Sequence, residues 1–510
     1  MSAPHRPPDS HYNINVTLSD MTSLDRELPD TRPPICAKLK YDIKSLPKVS
    51  IVIPFFNEAP TMLLRNIHSI LNRSPDELLE EIILVDDLSY DAPLMEPLER
   101  FIKNIPRISL LRNDQRSGLI VSRMRGARIA KAPAIIFLDA HSEVNEGWLE
   151  PLLDQLRKNP KQVLQPFIDG VDNMNLQFSA PSVYFKGTFS WDLRYTWTKI
   201  ADHEQERAVE TGEPFITPTL VGCALAVMKD YFFDIGSFDE GMYVWGGENI
   251  ELAFRAWMCG GKAVTVTCSR VGHVFKQSPN KFDGTKGSKE ETVQKNLIRV
   301  ADVWMDGMRK FFYGTTLMFD FKRLKLGPAD LKTLRERTEL RKKLKCHNFE
   351  WYLYNVVPEM LDLPPMEKDY YVGMTYFCFE HKIIPKNNFA IMKNGLMTYR
   401  DKCVKINQPK PYLTLAECPP ESEIDKFGKW DLVNYGMNWG GIKVSIVKDD
   451  GVVVYWCIVQ VTNAMPQHRS EQMPQLGTCD SSDSFQIWSF TYAVDFTLVP
   501  EYMSVYEQKL

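Results

Sequence analysis

The feature that most constrains this chain is an alternation that begins at Val49. The apolar runs Val49 to Pro54 and Glu81 to Asp87 end in proline or acid, as strands buried on both faces do. Leu63 to Leu71, between them, has helical spacing. Ile108 to Leu111 and Ala134 to Leu138 supply two further strands, with the amphipathic segment Leu119 to Ala130 between those. A β-α-β-α order predicts an α/β fold whose mostly parallel sheet carries helices on both faces. Ligands of such sheets sit beyond the carboxyl ends of the strands, and Asp87 and Asp139 fall at those ends.

Length asks for more than one core, because 510 residues exceed what a single domain comfortably encloses. Residues 1–45, rich in Pro, Asp and Ser, read as an irregular arm, and 46–350 as the α/β domain, closing on the charged helical stretch Pro328 to Lys345. Residues 351–370 read as a proline-bearing linker. From 371 to 510, short strand-like pieces separated by Gly, Asn, Asp and Pro predict a small all-β domain. There Gln486-Ile487-Trp488 matches the Q-x-W signature of ricin-type β-trefoils, and Cys403/Cys418 and Cys457/Cys479 recur at repeat-like spacing.

With 44% hydrophobic and 25% charged residues, the chain is neither disordered throughout nor fibrous. A net charge of -4 gives no bulk reason to bind nucleic acid or an anionic membrane, and the basic run Arg341 to Lys345 reads as a solvated helix face. No run nears the roughly 18 apolar residues that span a bilayer, and Met1 to Pro8 lacks the apolar core of a signal peptide. Ten cysteines, crowded into the last half, nevertheless suggest disulfides formed in a secretory compartment. The sequons Asn15-Val16-Thr17 and Asn72-Arg73-Ser74 fit that compartment. The two signals are reconciled by expecting a membrane anchor that this chain does not carry.

The strongest local chemistry lies in Asp139-Ala140-His141, directly after an apolar strand. Two side chains separated by one residue at a strand end point to the same side, so both can ligate one divalent cation and leave places for phosphate oxygens. The plainer reading is an Asp that caps a turn and a His at the surface. Mixed carboxylate and imidazole ligands suit Mn²⁺ better than Mg²⁺, and a nucleotide sugar needs such a cation at its diphosphate.

Several segments resemble, in order and spacing, the polypeptide N-acetylgalactosaminyltransferase family. They are Phe56-Asn57-Glu58-Ala59, Glu81 to Ser89, Leu111 to Leu119, Asp139-Ala140-His141, Trp245-Gly246-Gly247-Glu248-Asn249-Ile250-Glu251 and Cys268 to Phe275, within a resemblance running from about Cys36 to Glu359. It implies a GT-A fold followed by a ricin-type β-trefoil, and a retaining, Mn²⁺-dependent transfer of GalNAc from UDP-GalNAc to Ser or Thr of a polypeptide or glycopeptide in the Golgi lumen. Carried over by position, Asp87 and Arg116 hold the uridine and ribose, and Asp139, His141 and His273 bind Mn²⁺. Glu248, with Asp139 and Asn249, forms the catalytic group, and Gly222 borders the donor sugar. Trp245 is a lid residue, and Phe275 and Lys276 open a mobile loop that reaches substrate. Phe189 and Trp191 match positions that line the acceptor groove, although aromatic core packing explains them too. Glu248 equally suits a helix N-terminus, and His273 a satisfied core histidine. The family pattern implies disulfides Cys36–Cys268, Cys259–Cys346, Cys403–Cys418 and Cys457–Cys479, leaving Cys223 and Cys378 as free thiols.

The chain departs from the family at Val221-Gly222-Cys223, where Ala-Gly-Gly is usual, and at Pro54, Ser142 and Lys276. Cys223 brings a side chain to a place where backbone approaches the sugar closely. In the trefoil, only Cys378-Phe379-Glu380 keeps the acid that follows each sugar-binding Cys. Cys403-Val404-Lys405 and Cys457-Ile458-Val459 do not, so the second and third repeats are expected to bind no GalNAc. These departures keep open a non-catalytic homologue that binds nucleotide sugar or glycoprotein, and a related transferase with another donor.

Overall fold

The computed structural model describes residues 9, 11–276, 287–315 and 326–361 and, past 361, mainly the strands of a second unit. The chain divides into two compact units, 1–306 with 326–361, and 307–325 with 362–510.

The first unit holds strands β1 (Val49–Phe55), β2 (Leu79–Asp86), β3 (Ile108–Arg112), β4 (Ala134–Leu138), β5 (Ser142–Val144), β6 (Gln162–Val171), β7 (Phe178–Ser179), β8 (Phe185–Phe189), β9 (Tyr195–Lys199), β10 (Phe215–Ile216), β11 (Ala224–Met228) and β12 (Lys262–Val274). Its helices begin with α1 (Val16–Met21), α2 (Pro60–Arg73), α3 (Glu96–Ile102), α4 (Gly118–Ile129), α5 (Leu149–Lys158) and α6 (Asp202–Thr211). They continue with α7 (Lys229–Asp234), α8 (Glu248–Met258) and α9 (Lys289–Trp304). After α10 (Arg309–Thr315), in the second unit, come α11 (Pro328–Lys343) and α12 (Phe349–Val356).

The main sheet runs β10-β12-β6-β11-β4-β1-β2-β3, with β5 added on β12 and β7 on β6. β3, β2, β1 and β4 are parallel, as the alternation predicts. The other half is mixed rather than parallel. β11 lies between β4 and β6 and runs antiparallel to both, while β6 and β12 run parallel. A strand buried on both faces shows apolar residues whichever way it points, so its direction leaves no trace in its own pattern.

All seven residues of β1 are buried. Pro60 opens the first turn of α2, where its missing N–H is harmless, and Leu63, Ile67 and Ile70 form the helix face that joins the core of β1 and β2. Burying one such side chain is worth about 1.5–3 kcal/mol. On the far side of α2, fully buried Arg65 donates to the carbonyls of Ser19 (2.7 Å) and Thr22 (3.1 Å), so the N-terminal arm rides on this helix. Cys36–Cys268 fixes the other end of the arm to β12, and Cys259–Cys346 joins the ends of α8 and α11.

The linker expected from residue 351 begins as a helix. Asn348 caps α12 through its side chain, and Phe349, Tyr352, Leu353 and Val356 form its buried face, with the Tyr352 hydroxyl donating to the Pro218 carbonyl at 2.8 Å. The prolines that suggested a linker start only at Pro358, beyond this amphipathic turn pattern.

Beyond α10, the second unit is built of strands that pair antiparallel throughout its described residues, from Tyr370–Val372 to Trp488–Tyr492. Cys403–Cys418 is formed there. Cys479, Gln486-Ile487, Glu380 and the side chain of Cys378 lie outside the described residues, so the expected Cys457–Cys479 pair and the Q-x-W motif do too. Among the described residues no helix is long and apolar enough to cross a membrane.

Candidate active site

The carboxyl ends of β1, β2 and β4 open onto a cleft of about 480 Å³. Asp87 follows β2, and its backbone N–H donates to the Phe55 carbonyl at 2.8 Å. Its carboxylate accepts from Asn113 Nδ2, the Ser117 N–H and the Gly118 N–H, each at 2.8 Å, and pairs with Arg116. The Arg116 guanidinium stacks 3.5 Å over the Phe56 ring. Four donors thus hold one carboxylate where α4 begins.

Asp139, His141 and His273 converge from the end of β4, the turn into β5, and β12. One ligand atom from each lies within 4.8 Å of the others. The Asp139 N–H donates to the Cys223 carbonyl at 2.8 Å, and its Oδ1 accepts from Arg123 Nη2 at 2.9 Å. Burial alone would raise Asp139, but His273, Arg123 and His141 outweigh it and hold the carboxylate below its ordinary value. Burial lowers His273, against the pull of Asp139, and so favours neutral imidazole, the form that ligates a cation. His273 Nε2 stands 3.4 Å from Asp139 Oδ2 without a well-formed hydrogen bond, and Nδ1 has no partner among the described residues. Buried polar nitrogens are rarely left so, and a divalent cation held by the three side chains would satisfy Nε2, the nitrogen that faces Asp139. His141 Nδ1 lies 2.7 Å from Glu58 Oε2, whose other oxygen accepts from Lys276 Nζ at 2.5 Å.

Glu248 opens α8 from the opposite wall. Its Oε2 accepts from the Gly246 N–H at 2.8 Å, and burial raises its carboxyl, with Arg123 opposing from 3.9 Å. Asn249 Nδ2 donates to the Leu220 carbonyl at 2.7 Å, beside Gly222. Arg123 joins the two walls. It is fully buried and donates to the Gly222 carbonyl at 2.6 Å as well as to Asp139. Cys223 is packed into the core while bordering the cleft, and burial pushes its thiol far above the ordinary value.

Trp245 sits on a loop of left-handed residues, Val244 (φ 50°), Gly246 (106°) and Gly247 (87°). Asn296 of α9 holds that loop. It accepts from the Tyr243 N–H at 2.8 Å and donates to the carbonyls of Tyr243 (2.8 Å), Gly246 (3.0 Å) and Trp245 (3.2 Å). On the other side the Leu119 N–H donates to the Val244 carbonyl at 2.7 Å, across Gly118. A Cβ on Gly118 would lie 2.3 Å from Val244 Cα, so only glycine admits this approach.

Of the residues singled out in the sequence, the cleft brings together Asp87, Arg116, Asp139, His141, Gly222, Trp245, Glu248, Asn249, His273, Phe275 and Lys276. Phe275 is 52% exposed. Phe189 and Trp191 are not brought there. Phe189, 2% exposed, packs against Trp191, Phe254, Phe349 and Tyr352. Residues the sequence did not single out also line the cleft: Arg123, Tyr195 and the arm residues His11 and Tyr12, both of which reach Asp91 Oδ2, at 2.8 and 3.0 Å. α4 carries three arginines, Arg123, Arg125 and Arg128, so nothing in the sequence marks Arg123 as the buried one.

The glycosyl transferase family 2 profile matches residues 50–232, and that of the N-terminal domain of galactosyltransferase matches 207–277. The chain is 37% identical over 495 residues to polypeptide N-acetylgalactosaminyltransferase 3 of Taeniopygia guttata, covering 94% of this chain and 76% of that protein. It is 40% identical over 511 residues to polypeptide N-acetylgalactosaminyltransferase 6 of Homo sapiens, covering 94% and 77%. With polypeptide N-acetylgalactosaminyltransferase 3 of Mus musculus the match is 42% over 373 residues, 71% of this chain and 58% of the relative. A crystal structure of GalNAc-T7 with UDP, GalNAc and Mn²⁺ superposes with a TM-score of 0.67 at 27% identity, covering 94% of this chain and 88% of that one. The mixed α/β sheet with its cleft at the strand ends is a GT-A glycosyltransferase fold, and the chain belongs to the polypeptide N-acetylgalactosaminyltransferases.

Proposed function

We propose that this chain transfers GalNAc from UDP-GalNAc to Ser or Thr hydroxyls of polypeptides or glycopeptides, with Mn²⁺ and with retention of configuration, and so initiates mucin-type O-glycans in the Golgi lumen. The observation that carries this reading is the Asp139/His141/His273 set, whose ligand atoms lie within 4.8 Å and whose buried His273 imidazole makes no well-formed hydrogen bond among the described residues. A Mn²⁺ held there supplies Lewis-acid stabilisation to the departing UDP. Asp87 and Arg116 bind the uridine and ribose, with Phe56 stacked behind the guanidinium. Lys276 serves the diphosphate, Gly222 walls the sugar, and Glu248 and Asn249 orient it. Trp245, on its left-handed loop, excludes water from the closed site. The acceptor is assigned to the side of exposed Phe275, with Phe189 and Trp191 as buried support for β8. The catalytic domain is assigned to 46–350, after the arm 1–45. A degenerate ricin-type trefoil is assigned to 371–510, beyond the segment 351–370.

UDP release and peptide mass gain, measured with Mn²⁺ and a Ser/Thr/Pro-rich peptide against UDP-GalNAc, UDP-GlcNAc and UDP-Gal, test the proposal. The expected result is a Mn²⁺-dependent gain of one HexNAc from UDP-GalNAc, lost in Asp139→Ala. Tight UDP binding without transfer to any peptide or glycopeptide would replace it with a non-catalytic homologue.

A further inference from the structure

Glu58 lies just past β1 and is 7% exposed, yet nothing in the reaction above uses it. Its Oε2 stands 2.7 Å from His141 Nδ1, and its Oε1 accepts from Lys276 Nζ at 2.5 Å and from the Ala59 N–H at 3.1 Å. A carboxylate facing Nδ1 selects the tautomer with hydrogen on that nitrogen. The lone pair then remains on Nε2, the atom free to face Asp139 and His273. The same carboxylate also neutralises a lysine whose side chain is only 7% exposed. One buried group therefore serves two residues with separate proposed tasks.

We propose that Glu58 is a positioning residue that fixes His141 as a cation ligand while sharing its charge with Lys276. The inference rests on the metal reading of Asp139, His141 and His273. Groups that orient a ligating imidazole typically change metal affinity about 10–100-fold when removed. Lys276 acts in the opposite sense, because its positive charge competes with His141 for the carboxylate and would repel a cation held by His141 and His273.

Mn²⁺ titrations of the chain without nucleotide, followed by the electron paramagnetic resonance of free Mn²⁺, separate these effects. Glu58→Leu alone would strand a buried lysine, so the decisive variant is Glu58→Leu with Lys276→Met, which removes both charges together. The double variant is expected to bind Mn²⁺ about 10–100-fold more weakly than wild type, with its circular dichroism unchanged. Glu58→Gln, which keeps an acceptor for Nδ1, falls between the two, and Lys276→Met alone does not weaken binding. A double variant that binds Mn²⁺ within about twofold of wild type overturns the role of Glu58 and leaves the metal site standing. A wild-type chain that binds no Mn²⁺ overturns the metal reading, and this inference with it.

Discussion

Glu248 carries a carboxylate that burial works against, and its raised value gives a pH test. A group raised in the fold binds its proton more tightly folded than unfolded. The stability tied to that proton is therefore fully present below the ordinary value of 4.5 and lost as pH rises through the raised one. At pH 7 the wild type bears the cost of that raised value, and Glu248→Gln does not. The Gln variant should melt above wild type at pH 7, with the gap closing towards pH 4.5, while transfer falls on the order of 10²-fold. A melting point that falls at pH 7 would show that Arg123 already compensates the charge. Asp139 and His141 were legible because strand-end spacing alone places them on one side, whereas His273 needed the family pattern to be noticed. Arg123 was not legible, since its partners Asp139 and Gly222 are distant in sequence and only the sheet brings them together. Phe189 and Trp191 give the same aromatic signal in a groove as in a core, and the fold around α8 and α12 puts Phe189 in the core.

Among the elements, α9 holds the Trp245 loop through Asn296. Replacing Asn296 with Leu removes four hydrogen bonds from backbone that is buried at Gly246 and half-buried at Tyr243 and Trp245, and leaving the buried Gly246 carbonyl unsatisfied costs about 1–3 kcal/mol. The expected outcome is faster amide exchange at residues 243–246 and a raised KM for the nucleotide sugar. Unchanged exchange there would mean that the Gly118–Val244 contact holds the loop alone. The parallel half of the sheet, β1 to β4, was legible in the alternation. The antiparallel insertion of β11 was not, because nothing in Ala224–Met228 records its direction. α12 was hidden by the prolines just beyond it, although its buried positions follow helical spacing.

For the molecule as a whole, the two sequons make opposite demands. Asn15 is buried, caps α1 and donates to the Met174 carbonyl at 3.0 Å, so a glycan there is incompatible with the folded arm. Asn72 is exposed near the end of α2, and its Nδ2 donates to Asp25 Oδ1 at 2.7 Å. Secreted from a eukaryotic host, the chain is expected to carry one N-glycan, removed by Asn72→Gln and untouched at Asn15, as intact mass with and without deglycosylation would show. Burial decides this, and no tripeptide reveals it.

The bond between Cys36 and Cys268 imposes an order of events on synthesis. Its partners are 232 residues apart, so at the usual ribosomal pace of about 5–20 residues per second the first thiol waits on the order of 10–50 s for the second. Cys223 and Cys259 emerge in that interval, and each is a wrong partner of equal chemistry. The arm that walls the cleft is thus made well before the strand that secures it. Once the sheet has formed, Cys223 lies in the core, out of reach as a partner for Cys36.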